Sequence, residues 1–215
     1  MSDELDLREQ LVEQYRHAEH TGLNELSSGN LSVRFEDGML ISPSGATAEN
    51  ITVDTIVFVK LNGDWEGDRK PSSEWRMHAG IYGRHEKAKA VVHTHSDYCV
   101  ALACQQRPLP GFHYLVGSFG GNDVPCVPYS TFGTQTLADD AAEALTDRSA
   151  CLLGNHGMIC RSSNINKAVD LAHRLEIMCR QYLLTTQYGD PKMLTDNHWD
   201  EFFDRAQKVS YGKFI

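Results

Sequence analysis

Val91-Val92-His93-Thr94-His95 is the stretch on which the reading of this chain turns. Residues 90–95 form a short β-rich run, and along a strand the side chains at i and i+2 leave the same face. His93 and His95 therefore stand side by side. A divalent metal is what two adjacent imidazoles can hold between them, zinc at roughly 2.0–2.1 Å from each. The same pair also suits two histidines with ordinary hydrogen bonds, so a third group has to separate the readings. His156 is that candidate, in Gly154-Asn155-His156-Gly157, where it interrupts the apolar run 150–161. That run reads as a strand pair bent at His156-Gly157, with glycines that let the backbone turn and approach closely. A third imidazole on a neighbouring strand makes a three-histidine site with an open position, the pattern of catalytic zinc. The alternative is that His156 only fills the turn.

The rest of the chain organises around this strand. Residues 7–21 read as a helix, with Leu7, Leu11, Val12, Tyr15 and Ala18 on one face and Gly22 as its stop. Leu31, Val33 and Phe35 alternate as in a half-buried strand, Asp37-Gly38 turns the chain, and 39–42 returns. Residues 56–61 read as a third strand. Pro71-Ser72-Ser73-Glu74 introduces a helix of about ten residues. Further helices are expected at 97–106, 134–146, 166–187 and 198–209, while 108–133, rich in Gly, Pro and aromatics, holds loops and short strands. Irregular alternation of strands and helices predicts an α/β fold, a mixed sheet with helices on both faces. No repeat or linker divides residues 1–215, so one domain is expected.

Composition narrows the function. The 215 residues carry 20 Lys and Arg against 29 Asp and Glu, a net charge of −9. An acidic chain argues against a nucleic-acid partner, yet a local site can still bind a small anion. No apolar run of about 18 residues is present, so no membrane span is expected. Residues 1–11 are acidic and polar, unlike a secretory leader. Cys99, Cys104, Cys126, Cys151, Cys160 and Cys179 form no C-x-x-C pair and mostly sit in apolar runs. Buried free thiols in a reducing cytoplasm are the expectation.

Two further sets of residues offer chemistry. Glu74, at a helix start, reads locally as a cap or dipole partner and functionally as a proton-transfer group beside a metal. Ser27-Ser28-Gly29-Asn30, Pro43-Ser44-Gly45 and Ser72-Ser73 offer hydroxyls, an amide and backbone N–H groups to an anion. The last of them lies at a helix N-terminus, where free N–H groups and the dipole favour phosphate. Each motif alone is common in turn-rich sequence. A Schiff-base lysine is not required, because Lys70, Lys87 and Lys89 sit in polar surroundings.

Taken in order, the segments carry a family signature. They are Ser28-Gly29-Asn30-Leu31-Ser32-Val33-Arg34, Asp37-Gly38-Met39-Leu40-Ile41-Ser42-Pro43, Pro71-Ser72-Ser73-Glu74-Trp75-Arg76 and Val91-Val92-His93-Thr94-His95. His113-Tyr114, Gly120-Gly121-Asn122, Pro125-Cys126, Pro128-Tyr129, Thr131-Phe132-Gly133, His156-Gly157 and Tyr211-Gly212 follow. The chain resembles the class II aldolase family of the fuculose-phosphate aldolase type along nearly its whole length.

The resemblance implies a single layered α/β domain around a mixed, mainly antiparallel sheet flanked by helices, assembled as a homotetramer with sites between subunits. It implies a Zn²⁺-dependent, reversible cleavage of a ketose 1-phosphate of the L-fuculose 1-phosphate type. The products are dihydroxyacetone phosphate and an aldehyde, formed through a metal-stabilised enediolate. By the same resemblance His93, His95 and His156 are zinc ligands, and Glu74 is the acid/base that can also ligate. Ser28, Gly29, Asn30, Ser44, Gly45, Ser72 and Ser73 form the phosphate cradle. Tyr114 reaches a neighbouring subunit's site and protonates the aldehyde oxygen, and Phe132 and Tyr211 wall the aldehyde side.

Leu26-Ser27 stand where relatives commonly have Gly-Thr, Ser44 where Thr is frequent, and Gly154-Asn155 and Gly117-Ser118-Phe119 where other residues are usual. The hydroxyl exchange at Ser44 keeps phosphate binding, and the last two departures bear on the aldehyde half. An aldolase for 5-deoxyribulose or methylthioribulose 1-phosphate shares the pattern and suits an apolar pocket around Phe112, Phe119 and Phe132. Epimerases, dehydratases and decarboxylases use the same scaffold, and the epimerases carry Asp where Glu74 stands. A metallo-β-lactamase-type hydrolase needs His where Tyr98 stands, and adducin-like interaction modules lack the metal histidines.

Overall fold

Seven strands of the computed structural model, which describes residues 4–209, join in one sheet of order β3-β2-β1-β4-β7-β6-β5. They are β1 (Asn30–Phe35), β2 (Gly38–Ile41), β3 (Val57–Lys60), β4 (Ala90–Thr94), β5 (Cys126–Val127), β6 (Ala150–Leu153) and β7 (Gly157–Ser162). Neighbours are antiparallel except the parallel pair β5–β6. The sheet is thus mixed and mainly antiparallel, as the resemblance implied.

The central strands are buried on both faces, which is why their sequences read as nearly continuous apolar runs. Alternation sorts the side chains. Ala90 and Val92 of β4 and Met158 and Cys160 of β7 join the core formed with α1 (Glu4–His20), α3 (Asp97–Ala103) and α5 (Ile165–Thr186). Val91, Ile159, Cys151 and Leu153 face the other layer, α2 (Trp75–Arg84) and α4 (Gln135–Ala144). His93 shares the face of Val91. Across the β1–β4 ladder Asn30 pairs with His93, and Ser32 with Val91. A polar patch therefore interrupts the α2 face of an otherwise apolar sheet.

Several boundaries differ from the sequence reading. The first helix starts at Glu4, three residues earlier, where Glu4 and Asp6 favour the positive helix terminus. The helix expected over 97–106 ends at Ala103. Thr134, Asn164 and Thr195 cap α4, α5 and α6 (Asp196–Lys208) with side-chain hydrogen bonds, and so set their starts. The strand pair 150–161 breaks into β6 and β7 at residues 154–156, with Asn155 left-handed at φ 54°. His156 consequently lies in the turn that enters β7, not within a strand. Because Thr94 pairs with Met158, that turn still meets the end of β4. Phe119 is fully buried in the core, and Phe112, partly buried, packs against that core with its ring 5.4 Å from the Tyr182 ring. Cys99, Cys151, Cys160 and Cys179 are buried.

Candidate metal centre

Glu74 occupies the residue before the first turn of α2, yet its side chain makes no capping bond. The carboxylate instead turns toward the sheet. Its Oε2 lies 3.0 Å from His93 Nε2 and its Oε1 3.3 Å from His156 Nε2. The local reading of Glu74 as a cap gives way to a tertiary one. His95 leaves the end of β4 with its Nε2 2.9 Å from that of His93. The three imidazole rings stand edge to face, with centroids 4.8, 4.9 and 4.7 Å apart. One ligand atom from each of Glu74, His93, His95 and His156 falls within 4.8 Å of the others.

The donor chemistry fits a divalent cation. His93 is fully buried, and its Nδ1 donates to the Met158 carbonyl at 2.7 Å. That bond orients the ring with Nε2 toward the centre, where a bound cation would take its lone pair. Among the described residues Glu74 Oε1 is buried with no hydrogen-bond donor, although His156 Nε2 is 3.3 Å away. Three imidazole nitrogens and a carboxylate around one point form a set that zinc accepts. Burial acts to raise the Glu74 pKa, but the charge of His93 and the nearby His156 and His93 rings outweigh it and hold the group well below the carboxylate range. Burial pushes His93 down, and Glu74 more than reverses that. For His95, burial and then the His93 and His156 charges bring the pKa down to about 3. The carboxylate is thus anionic, as a ligand or a base must be.

A cleft of about 390 Å³ opens over the centre, lined by Ser27, Ser28, Ser73, Glu74, His95 and His156 with Tyr129, Ser130, Phe132 and Asn155. A larger hollow of about 590 Å³ lies beside β3 around Arg8, Lys60 and Trp65, and holds none of these groups. Loops 42–45 and 70–73 meet beside the cleft, where Ser44 N–H donates to the Lys70 carbonyl at 3.1 Å and Ser72 N–H to the Ser42 carbonyl at 3.1 Å. These bonds flank an antiparallel Pro43–Pro71 bridge and pair Ser44 with Lys70 and Ser42 with Ser72. A Cβ on Gly29 would come within 1.9 Å of Asn24 Oδ1, so a larger residue here would have to displace the buried Asn24 amide.

Not every expected site residue joins the cleft. Asn30 does not open its amide to it: Nδ2 donates to Glu74 Oε2 at 3.0 Å, and Oδ1 lies 2.6 Å from His78 Nε2. Tyr114 is 50% exposed, packs between His113 and Phe202, and lies outside its own chain's cleft. Phe132 lines the cleft, Phe112 and Phe119 do not, and Tyr211 lies outside the described residues. Tyr129 and Asn155 appear in the sequence motifs without a site role, and His78 is not singled out from the sequence at all. His78 had a legible signal, its four-residue spacing from Glu74 on one helix face.

The profile of the family described as Class II Aldolase and Adducin N-terminal domain matches residues 9–183. The chain is 43% identical over 185 residues to an L-fuculose phosphate aldolase of Escherichia coli O6:H1, covering 86% of each. It is 42% identical over 206 residues to a 5-methylthioribulose-1-phosphate/5-deoxyribulose-1-phosphate aldolase of Rhodospirillum rubrum, covering 96% of this chain and 92% of that one. A solved structure of an L-fuculose 1-phosphate aldolase superposes with a TM-score of 0.89 at 35% identity, over 95% of this chain and 96% of the other. The profile spans most of the sequence, and both aldolases match over more than four fifths of it. The chain belongs to the class II aldolase family and is a lyase of that family.

Proposed function

We propose that this chain is a zinc-dependent aldolase that reversibly cleaves a ketose 1-phosphate, of the L-fuculose 1-phosphate type, into dihydroxyacetone phosphate and an aldehyde. The observation that carries the reading is Glu74, a carboxylate held against the His93 and His156 imidazoles, with His95 in the same cluster, under a cleft rimmed by serine hydroxyls. His93, His95 and His156, with Glu74 in reach, would hold zinc, which when bound would supply Lewis acidity toward a substrate carbonyl. Ser28, Gly29, Ser44, Gly45, Ser72 and Ser73 take the phosphate, helped by the N-terminus of α2. Asn30 serves from the wall by holding Glu74. In synthesis Glu74 removes a proton from C3 of dihydroxyacetone phosphate, and that carbon bonds to the aldehyde carbon. Tyr114 of an adjacent subunit gives its phenolic proton to the aldehyde oxygen. Cleavage reverses these steps. Phe132 and Tyr211 wall the aldehyde side. The whole chain acts as one domain of a cytoplasmic homotetramer.

A second reading has its own support, an aldolase for 5-deoxyribulose or methylthioribulose 1-phosphate. The match to the relative so named runs over 206 residues, against 185 for the fuculose enzyme. The outer cleft also carries two exposed aromatic rings, Tyr129 and Phe132, which suit an apolar aldehyde.

A coupled assay for dihydroxyacetone phosphate release tests both. Fuculose, rhamnulose, ribulose and 5-deoxyribulose 1-phosphates are offered with and without chelator, beside Glu74→Ala. Release that needs zinc, and that falls by at least about 100-fold in Glu74→Ala, is expected. The preferred ketose chooses between the two readings. No release from any of the four by folded, zinc-loaded protein discards both.

A further inference from the structure

Behind Glu74 a line of buried polar side chains runs between the sheet and α2. Asn30 and Ser32 alternate on one face of β1, and Glu74, His78 and Tyr82 repeat every four residues along α2, so the two rows face each other. Asn30 Nδ2 donates to Glu74 Oε2 at 3.0 Å. Asn30 Oδ1 is 2.6 Å from His78 Nε2, His78 Nδ1 is 2.7 Å from Ser32 Oγ, and Ser32 Oγ is 2.9 Å from the Tyr82 hydroxyl. All four residues behind the carboxylate are buried.

One arrangement of protons satisfies this line. An amide oxygen only accepts, so His78 Nε2 carries the proton and donates to Asn30 Oδ1. Burial, reinforced by the His93 charge and opposed by Glu74, brings the His78 pKa down to about 3, and the ring is neutral. Its Nδ1 therefore accepts from the Ser32 hydroxyl. Ser32, having used its proton, accepts from Tyr82, whose hydroxyl burial keeps protonated. Every donor points toward Glu74, an order in which each bond polarises the next. Apolar residues of the same size would fill this space without the cost of burying polar groups, so packing alone does not account for the row.

We propose that His78, Ser32 and Tyr82 are positioning residues that lock the Asn30 amide with its NH₂ on Glu74 Oε2, leaving Oε1, on the His156 side, as the carboxylate oxygen that the amide does not engage. The inference rests on the reading of Glu74 as the group that moves a proton at the substrate. Without the lock the Asn30 amide can turn over. Its oxygen then meets the carboxylate, and the carboxylate swings away from the reacting carbon.

The test uses full-length, zinc-loaded protein and dihydroxyacetone phosphate alone in D₂O, with deuterium uptake at C3 read by NMR. His78→Leu is expected to slow exchange about 10- to 100-fold, with KM within about twofold and zinc content unchanged. His78→Gln, which keeps a donor for Asn30 Oδ1, recovers most of the rate. Tyr82→Phe removes one hydroxyl, is expected to lose about 3- to 10-fold, and carries the test if His78→Leu fails to fold. Side-chain ¹⁵N spectra are expected to show His78 neutral with its proton on Nε2, and Nδ1 shifted in Tyr82→Phe. Wild-type exchange rates in both His78→Leu and Tyr82→Phe overturn the proposal, as does an equal loss in the Gln and Leu variants. So does a proton on Nδ1. If the wild-type protein exchanges nothing, the aldolase reading falls, and the ¹⁵N spectra alone decide the lock: Nε2–H keeps it and Nδ1–H removes it.

Discussion

Glu74 and Gly157 illustrate how single residues shape the centre. Glu74 sits where a helix favours a capping side chain, yet the sheet presents it with imidazoles at 3.0 and 3.3 Å, and the carboxylate goes there. A Cβ on Gly157 would lie 2.4 Å from the Thr94 carbonyl and 3.1 Å from His95 Cδ2. The first contact is with backbone and cannot be relieved by a rotamer change. Gly157→Ala is therefore expected to lower both zinc content per chain and melting temperature, measured by metal analysis and thermal unfolding. A variant with wild-type zinc content contradicts the close-approach role. His78 makes a prediction in pH. Its folded pKa lies below the ordinary 6.5, at about 3. As pH falls through 6.5 the unfolded chain takes up a proton that the native ring refuses, so stability is lost. The loss stops near pH 3, with a slope of at most about 1.4 kcal/mol per pH unit from this one group. In metal-free protein, denaturant unfolding of His78→Gln is expected to fall less steeply than wild type across that window.

At the scale of elements, chain segments far apart in sequence position one another. Ser96 precedes α3 but makes no side-chain cap. Glu176 of α5 does that work, accepting the Tyr98 and Cys99 N–H groups at 3.0 and 2.9 Å. A carboxylate on orphan N–H groups of a first turn is worth about 1–2 kcal/mol. Glu176→Ala is expected to lower the melting temperature by several degrees, about 2–4 °C per kcal/mol for a chain of this size. An unchanged melting curve would show that α3 needs no cap. The turn between β6 and β7 is another such device. Asn155 accepts the left-handed φ of 54° that the turn needs, and Gln106 Nε2 donates to its Oδ1 at 2.8 Å. That brace holds the backbone next to His156.

On the scale of the whole molecule, the cleft of one chain is lined by Glu74, His95, His156 and the hydroxyl rim, with His93 buried beneath it, but not by Tyr114. The proposed function therefore asks for a second chain. Subunit mixing tests it: Tyr114→Phe and Glu74→Gln proteins, each nearly inactive, are expected to regain activity when unfolded together and refolded as mixed oligomers. No recovery in verified mixed oligomers, or a fully active monomer in sedimentation, contradicts a shared site. Among the described residues no helix is long and apolar enough to cross a membrane. The net charge of −9 is no obstacle to an anionic substrate, because helix N–H groups and a bound cation act over shorter distances than the screened field of the whole chain.

Much of this was legible in the linear chain. The alternation of Leu31, Val33 and Phe35 and the stripe along 166–187 are local patterns, read without knowing any neighbour. His93 and His95 share a face because a strand has period two, which no partner can alter. The ordered set of motifs marked the family and the mainly antiparallel sheet. What needed the folded chain was every feature that depends on direction across space. Whether Glu74 caps its helix or reaches the imidazoles, and whether Asn30 opens to the cleft or holds Glu74, depends on what stands opposite. The burial of Phe119, the packing of Phe112 against the core and the separation of Tyr114 from its own cleft have the same origin. The His78 row, too, exists only because β1 lies against α2. Strand order and layer packing join residues tens of positions apart, and a side chain's partner is set by that juxtaposition, not by its neighbours along the chain.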